Sequence, residues 1–362
     1  MKLCSLTIAP DVPGFVFGYK ENNMRDRIRL FVISLALACF LVVGAKASSA
    51  DNHEGAAADN GVGVAFDAKA RASALFATGD VSEFNLDNAR LGATFSKSVF
   101  DARVSIQTDG SSLDILDAYL AVPLYKDYAN FKVGRLLIPA GRNAMLDIYG
   151  WTEWQGASLI AKWSSLDGYG RRDGASVSGS TDVEGQVSVD YNFGLFNGDN
   201  DDVLFAGRVD LGIAAVDGLS IGSAVQVQDG YLGVGVDATY SRAIPYGLLA
   251  VDAAYNHYDL DDQPYVPGVG LNAGDGFTVG TSYLLDGTIP VIPFALQPQP
   301  FFRYQRFEYA DGVSGSDDRF DAGANILVSD LAQTKLTLNY FHTESVTGGS
   351  ADGGFIGFQF TF

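Results

Sequence analysis

The sequence predicts an all-β protein, a transmembrane antiparallel β-barrel of about 16 strands. Apolar and polar residues alternate in short segments that recur about every 19 residues, which is the period of strands rather than of helices. The chain is 47% hydrophobic and holds 42 glycines, yet no long apolar run follows its first fifty residues. This excludes a membrane protein that spans with several helices. A net charge of −19 argues against a nucleic-acid partner.

Residues 1–50 are predicted to be a signal peptide rather than part of the fold. Three arginines lie within residues 25–29 and precede an almost wholly apolar stretch, 30–45. Small residues follow as far as Ala50, as at a signal-peptide cleavage site. Because the segment before Met24 does not resemble the basic start of a signal peptide, we expect translation to begin at Met24.

Two alternatives for this segment are weaker. The apolar stretch is short for a membrane anchor, and it continues past Cys39, which disfavours a lipoprotein signal there. Removal of the segment would also remove both cysteines, Cys4 and Cys39, so no disulfide framework is expected. Residues 51–60 are predicted to be a short N-terminal extension, and residues 61–362 the transmembrane barrel.

The rest of the chain divides into sixteen alternating segments. In the first of them valine, phenylalanine and alanine share one face, and Asp67, Lys69 and Arg71 lie on the other. Strands are expected near residues 62–76, 89–96, 100–107, 113–122, 129–137, 171–179, 186–195, 204–213, 219–228, 231–241, 247–257, 276–285, 299–309, 319–327, 334–342 and 354–362.

The connections between these segments are predicted to alternate between short inner turns and longer outer loops, as in outer-membrane barrels. The longest connection, 138–170, follows the fifth strand and is the third outer loop. Three outer loops are shorter than this pattern predicts, at 78–82, 109–112 and 229–230, and one inner connection, 286–298, is longer.

The last strand carries a sharp local signal. Ile356, Phe358, Phe360 and Phe362 alternate with smaller or polar residues, and the chain stops on the last aromatic. This resembles the C-terminal signal by which the outer-membrane insertion machinery recognises barrels, so that machinery is an expected partner through Phe362. The alternative, a soluble edge strand, would leave four large apolar side chains exposed and prone to aggregation.

Several short segments resemble one family of bacterial porins. They read DAYL at 117–120 and FKVGRLLIPAGR at 131–142, with further matches at 172–179, 194–198 and 299–304. The chain resembles the phosphate-selective porin O and P family of the Gram-negative outer membrane. The resemblance implies a 16-stranded diffusion pore that forms a homotrimer, with its third outer loop folded inward.

The third outer loop is therefore the expected constriction. It holds all three tryptophans of the chain, among them Trp151 and Trp154. Folded into the barrel, this aromatic surface would pack against the wall, whereas outside it would be exposed to water. Asp147 and Glu153 would face the pore, with Arg142 at the base of the loop. Alternatively, the aromatic residues mediate contacts between subunits.

The polar faces of the predicted strands give the expected pore lining. Lys69, Arg71, Arg90 and Arg103 lie on the first three strands and are predicted to form a basic ladder opposite the acidic constriction loop. Opposed charges across a narrow pore create a transverse field that acts on passing solutes. The alternative for each is a solvated wall position without a role of its own. Other expected lining residues are Arg208, Arg319, Lys335, Asp67, Asp101, Asp117, Asp210, Asp237, Asp252 and Asp321. Arg135 and Arg306 fit no clean register.

The expected function is a passive channel for small hydrophilic solutes or ions in the bacterial outer membrane. The acidic balance favours cations, which makes an anion- or phosphate-specific channel the weaker alternative, and a structural or adhesin barrel without an open pore is another. Clustered outer-loop acids would contact lipopolysaccharide through divalent cations, or would simply be solvated. His257 beside Asp259 is the only histidine–acid proximity worth naming, and an outward histidine is the better interpretation. No enzyme activity, metal or cofactor is expected.

Overall fold

The computed structural model describes residues 63–361, apart from 78–79, 110, 126–127, 143–169, 199–201, 261–272, 288, 292–293, 311–314, 329–333 and 347–348. The predictions for residues 1–60 therefore lie outside the described residues, as does Phe362. No helix in the described ranges is long and apolar enough to cross a membrane.

The described chain is almost entirely β-strand. The strands are β1 Gly63–Ala77, β2 Asp80–Lys97, β3 Phe100–Thr108, β4 Leu113–Tyr125, β5 Ala129–Leu137, β6 Arg171–Val183, β7 Val187–Asn197, β8 Val203–Ile213, β9 Leu219–Gln228, β10 Tyr231–Ile244, β11 Gly247–Leu260, β12 Gly274–Leu285, β13 Ile289–Val291, β14 Phe294–Tyr309, β15 Ser316–Val328, β16 Lys335–Ser345 and β17 Gly349–Thr361.

These strands form one closed antiparallel sheet. Each strand pairs with its sequence neighbours, and β1 pairs with both β2 and β17, for example Ala70 opposite Phe360. The three-residue β13 pairs only with β14, which also pairs with β12, so β13 continues the line of β12. The wall therefore has sixteen strands, and the predicted barrel is confirmed.

The two faces of the sheet are reversed relative to a water-soluble protein. Large apolar side chains point outward, and Phe66 is 75% exposed. The interior is polar, and the side chains of Asn88, Gln305 and Gln359 are fully buried. A barrel that alternates between an apolar outer face and a polar inner face is the arrangement in which strands cross an outer membrane. Closure matters because it pairs every edge, so no strand presents unpaired backbone groups to lipid.

Bulges account for differences between the observed strands and the predicted ones. β2 begins at Asp80 rather than near residue 89, and its register with β1 shifts between Arg71 and Ala72. A bulge adds one residue to a strand and so reverses the alternation of its faces. The same effect occurs in β4, where Leu116 lies between the residues that pair with Ser105 and Ile106.

The predicted long inner connection at 286–298 is partly strand. β13 and the start of β14 form a small hairpin there, and β14 begins at Phe294. Residues 297–300 of β14 pair only with β15, because β12 ends its pairing at Ser282 and β13 begins at Ile289. A proline is tolerated where a backbone N–H has no ladder partner, which accounts for Pro298 and Pro300 inside a strand.

The short outer loop at 109–112 is held by one carboxylate. Oδ1 of Asp109 accepts hydrogen bonds from the Oγ and the N–H of Ser111, at 2.6 and 2.8 Å, and from the N–H of Ser112 at 3.1 Å. These donors stabilise the charged form and hold the pKa of Asp109 below its usual range. These hydrogen bonds hold the short loop in place, so that a few residues suffice to connect β3 and β4.

Candidate functional site

The inner face of β1–β3 is basic. Lys69 and Arg90 lie directly opposite each other on β1 and β2, and Arg71 lies opposite Asn88 on β2 and Gln359 on β17. Nη2 of Arg90 donates to Oε1 of Gln107 on β3 at 3.0 Å. Like charges opposite one another on a sheet repel, so this wall concentrates positive potential inside the barrel.

Arg103, the fourth predicted member of the ladder, is neutralised by a carboxylate. Its Nη1 and Nη2 donate to Oδ1 and Oδ2 of Asp67 at 2.8 and 3.1 Å, from β3 across β2 to β1. Its Nε also lies 3.8 Å from Oδ2 of Asp117. The bidentate geometry is the strong form of this ion pair. The charge of Arg103 is therefore largely offset within the wall itself.

Asp117 on β4 holds a second arginine that the sequence did not assign to the interior. Nε of Arg171, at the start of β6, donates to Oδ1 of Asp117 at 2.6 Å. Oγ of Ser105 donates to the other carboxylate oxygen at 2.7 Å. The site thus ties β4 to the end of the third outer loop, because Arg171 is the first strand residue after it.

The opposite wall is built around Arg208 on β8. Its Nη1 and Nη2 donate to Oδ2 and Oδ1 of Asp237 on β10 at 2.7 and 2.9 Å. Its Nε donates to Oδ2 of Asp210 at 2.7 Å. Arg208 and Asp237 are both buried. One arginine is thus shared by two carboxylates, and this wall carries the negative side of the interior.

A third buried pair lies between these walls. Nη2 of Arg303 on β14 donates to both carboxylate oxygens of Asp252 on β11, at 3.1 and 2.9 Å. Beside it, Arg319 and Asp321 on β15 form a bidentate pair with both distances at 2.8 Å. The inner face therefore holds most of its described arginines in ion pairs with carboxylates.

Three of these pairs cross an intervening strand at a glycine. Gly92 lies between Asp67 and Arg103, Gly222 between Arg208 and Asp237, and Gly280 between Asp252 and Arg303. A methyl group at Gly280 would lie 2.7 Å from Oδ1 of Asp252 and 3.0 Å from Nε of Arg303. Any side chain at these inward positions would occupy the space of the ion pair, so glycine is required by the close approach.

The start of the third outer loop turns into the barrel. Nη1 of Arg208 donates to the carbonyl oxygen of Ala140 at 3.1 Å, and the N–H of Arg142 donates to Oδ2 of Asp237 at 3.2 Å. Ile138 packs in a buried apolar cluster with Leu136, Phe196, Leu204 and Ala206. Residues 138–142 thus leave β5 and contact the inner faces of β8 and β10. The inward course of the rest of the loop stays a prediction, since residues 143–169 lie outside the described ones.

The structure places the predicted lining residues as follows. Lys69, Arg71, Arg90 and Arg103 share the inner face of β1–β3, and Arg142 lies across the barrel beside Asp237. Asp147, Trp151, Glu153 and Trp154 lie outside the described residues, so their predicted role in the constriction stays a prediction.

Sequence reasoning missed four inward basic residues. They are Lys132, Arg171, Arg172 and Arg303. Lys132 on β5 lies 5.7 Å from the ring centre of Tyr119, and Nη1 of Arg172 donates to the carbonyl of Asn197 at 3.0 Å. Arg303 lies within the predicted strand 299–309, and its alternation with the inward Phe301 and Gln305 would have placed it inside. The structure also assigns Arg135 and Arg306 to the outer face, opposite Ala118 and Phe277.

The histidines of the described strands lie on the outer face, near its outer rim. Nδ1 of His257 contacts Oδ1 of Asp275 on β12 at 3.0 Å, so its acid partner is Asp275 rather than the sequence neighbour Asp259. Nδ1 of His342 contacts Oδ1 of Asp352 at 2.9 Å in the same way. Within the described ranges, no group of three His, Cys, Asp or Glu residues is arranged to hold a metal ion.

Comparisons with known proteins match this architecture at the level of the fold. No model of a known protein family matches the chain, and no curated protein sequence does. A loop L8 deletion mutant of OmpT, an outer membrane protein of Vibrio cholerae, has a TM-score of 0.59 at 13% identity, covering 84% of this chain and 100% of OmpT. An anion-selective porin from Comamonas acidovorans has a TM-score of 0.59 at 13% identity, covering 83% and 100%. OmpF of Salmonella typhi has a TM-score of 0.54 at 13% identity, covering 83% and 97%.

The fold and the polar inner face together assign the protein to a structural class. The protein is a closed 16-stranded antiparallel barrel with the fold of outer-membrane porins. The predicted localisation, a multi-pass β-barrel of the bacterial outer membrane, is confirmed at the level of this fold. The resemblance to the phosphate-selective porin O and P family stays a prediction, because no family model matches.

Proposed function

We propose that the protein is a porin, a passive diffusion channel that admits small hydrophilic solutes or ions through the outer membrane. One observation carries the proposal: inside an apolar wall, the barrel is lined by charged and amide side chains from nearly every strand. A barrel of this strand number leaves an aqueous channel. Selection would follow from the size of the constriction at residues 138–170 and from the field between the two walls.

The ion pairs of the inner face favour general over phosphate-specific diffusion. A phosphate site needs arginines or lysines whose charge is free to bind an anion. Arg103, Arg208 and Arg303 each bind a carboxylate instead. We therefore propose weak ion selectivity, with positive potential at the β1–β3 wall and negative potential at the acidic outer loops.

A barrel without an open pore is the second candidate function. Arg71, Arg90 and Lys335 point inward, yet each is no more than 6% exposed. Charged side chains that line open water are normally more exposed than this. A structural barrel with a filled interior would account for their burial, and conductance separates the two candidates.

The test uses the full chain, expressed in a Gram-negative host and purified from its outer membrane in detergent. Insertion into a planar bilayer under a KCl gradient gives the single-channel conductance and the reversal potential, each recorded with and without phosphate. Stable conductance steps without phosphate block support general diffusion, and phosphate block supports the anion-specific alternative. Failure to conduct under any voltage, with barrel folding verified by heat-modifiable migration, contradicts the channel.

The proposed partners follow from the proposed function as a porin. We propose a homotrimer, as in the trimer form of OmpT of Vibrio cholerae, whose fold this chain shares with a TM-score of 0.53 at 11% identity, over 83% of this chain and 99% of OmpT. Outer-membrane lipid and lipopolysaccharide would surround the apolar wall, and the insertion machinery would recognise Phe362. We propose no catalytic activity: substitution of His257 by alanine would leave any activity of the purified protein unchanged.

A further inference from the structure

Two charged residues lie side by side on the outer face of β5 and β6. Arg135 pairs in register with Ala118 on β4 and with Asp173 on β6. Val133, two residues before Arg135, points outward and is 42% exposed. Because residues two apart on a strand share a face, Arg135 also points away from the barrel interior. Asp173 is exposed on that same face.

These charges lie within the apolar band rather than at its edge. On β4, Leu113 and Ile115 are exposed apolar residues nearer the outer end than Ala118, the partner of Arg135. Nearer the inner end, Leu120 and Val133 are exposed as well. A charge on the lipid-facing side of a barrel is destabilising within the apolar band. Lipid therefore does not suit this part of the wall.

Other outward arginines have a different setting. Arg306 donates through Nε to Oε1 of Glu308 at 2.8 Å and lies 3.9 Å from Asp318, near the outer end of β14. Arg242 is exposed near the inner end of β10, close to the turn at 245–246. By contrast, the buried Nε of Arg135 has no hydrogen-bond partner among the residues that the structure describes.

We propose that the outer face of β4–β6 around Arg135 and Asp173, here called the β5–β6 face, is the contact between copies of this chain. The proposal rests on the homotrimer of the proposed function and adds which face forms it. Each copy carries both charges, so in a ring of identical copies Arg135 of one copy can meet Asp173 of the next. Within one copy Asp173 lies beside Arg135, and a second copy adds a further carboxylate and a further arginine at a depth where lipid headgroups supply neither.

A charge-exchange series tests the pairing. Arg135→Glu and Asp173→Arg each place like charges together, and each should lower the association constant of the trimer by about thirtyfold or more. The double variant, with both substitutions, restores opposite charges between copies and should recover most of the association. Association is measured by light scattering of the full-length protein in mild detergent over a dilution series.

Arg242→Glu is the matched control, because it reverses an exposed arginine near the inner end of β10, on a different part of the wall. It should leave association unchanged. Heat-modifiable migration on gels reports whether each variant is a folded barrel. If folded Arg135→Glu associates as the unmodified protein does, the β5–β6 face is not the contact.

Cross-linking gives a second test that does not depend on the charges. The chain has 2 cysteines, Cys4 and Cys39, both within the predicted signal peptide. A single Val133→Cys substitution should then give linked dimers with a bis-maleimide reagent. Val236→Cys, on the outer face of β10 and 53% exposed, should give none.

The outcomes of these experiments distinguish a failure of the β5–β6 face from a failure of the homotrimer. Linkage from Val236→Cys alone, in a protein that remains a trimer, overturns the β5–β6 face and leaves the homotrimer standing. An unmodified protein that is monomeric at every concentration while it conducts overturns the homotrimer and this contact together.

Discussion

Arg208 and Asp237 form a bidentate ion pair across a strand to which neither belongs. Nη1 and Nη2 of Arg208 on β8 lie 2.7 and 2.9 Å from the carboxylate oxygens of Asp237 on β10, and β9 runs between them. Gly222 is the β9 residue below the pair, and a methyl group there would lie 2.6 Å from Oδ1 of Asp237. The ion pair therefore requires a residue without a side chain at position 222 as well as its own two charges.

A double-mutant cycle tests this dependence. Gly222→Val should lower the free energy of unfolding by about 3 kcal/mol, because it displaces one partner of a buried pair. In an Arg208→Met background the same change should cost about 1 kcal/mol or less, since the guanidinium that it displaces is gone. Urea unfolding in micelles, followed by tryptophan fluorescence, measures both costs. Equal costs in the two backgrounds would mean that Gly222 serves another purpose.

Gly134 is predicted to tolerate no side chain. Its φ is +127°, and a methyl group would overlap the carbonyl oxygen of Ala118 and lie 2.9 Å from the Cα of Tyr119. Gly134→Ala should therefore destabilise the barrel by about 2–4 kcal/mol, from strain and from overlap with backbone. Gly185→Ala is the control: its φ is +70° but no atom lies within 4 Å of the added methyl. That control should cost only about 1 kcal/mol in the same unfolding measurement.

The basic wall is predicted to set the ion preference. Arg71→Gln with Arg90→Gln should raise the cation-to-anion permeability ratio by about twofold or more, because it removes two positive charges from the inner face of the barrel. Removing the Asp67–Arg103 pair, as Asp67→Asn with Arg103→Gln, deletes one charge of each sign and should leave the ratio nearly unchanged. Reversal potentials in a KCl gradient give both ratios. A larger shift from the paired deletion would exclude this assignment of the field.

The third outer loop is predicted to limit conductance. Deletion of residues 145–160 should raise the single-channel conductance by about twofold or more, since a wider constriction passes more ions. The contacts of Ala140 and Arg142 with β8 and β10 would be left in place. Unchanged conductance would mean that the loop does not narrow the pore.

Phe362 is predicted to act in assembly and not in stability. Deletion of this residue should lower the amount of folded barrel in the outer membrane of cells severalfold. The same variant, refolded from urea into detergent, should reach the yield of the unmodified chain. The total amount of the variant chain in whole cells, compared with that of the unmodified chain, controls for expression. Equal loss in cells and in detergent would indicate a structural role instead.

Strand periodicity predicted the barrel because side chains alternate over most of the wall. It failed where local chemistry interrupts the alternation: at the β1–β2 bulge beside Arg71, and at Pro298 and Pro300 in β14. The inner and outer faces followed from the pattern as well. Arg135 fitted no face in the sequence because an outward arginine in an apolar band contradicts the pattern itself.

The ion pairs of the interior could not be predicted from one strand at a time. Asp67 and Arg103 are 36 residues apart, and Asp252 and Arg303 are 51 apart, so their contact depends on register across three strands. The glycine between each pair is a signal that could have been found, had the strands been aligned. The third outer loop offered no such signal for its carbonyl contact with Arg208.

The pairing of β1 with β17 also bears on how the barrel forms. Ala70 and Phe360 meet from nearly opposite ends of the chain, so the last seam joins only after Gly349–Thr361 has been made and positioned. Contacts so distant in sequence are slow to form, because a long loop must close before they are gained. Until then β1 and β16 are two free edges able to pair with other chains. Loss of the final strand would thus leave not a narrower ring but an open sheet.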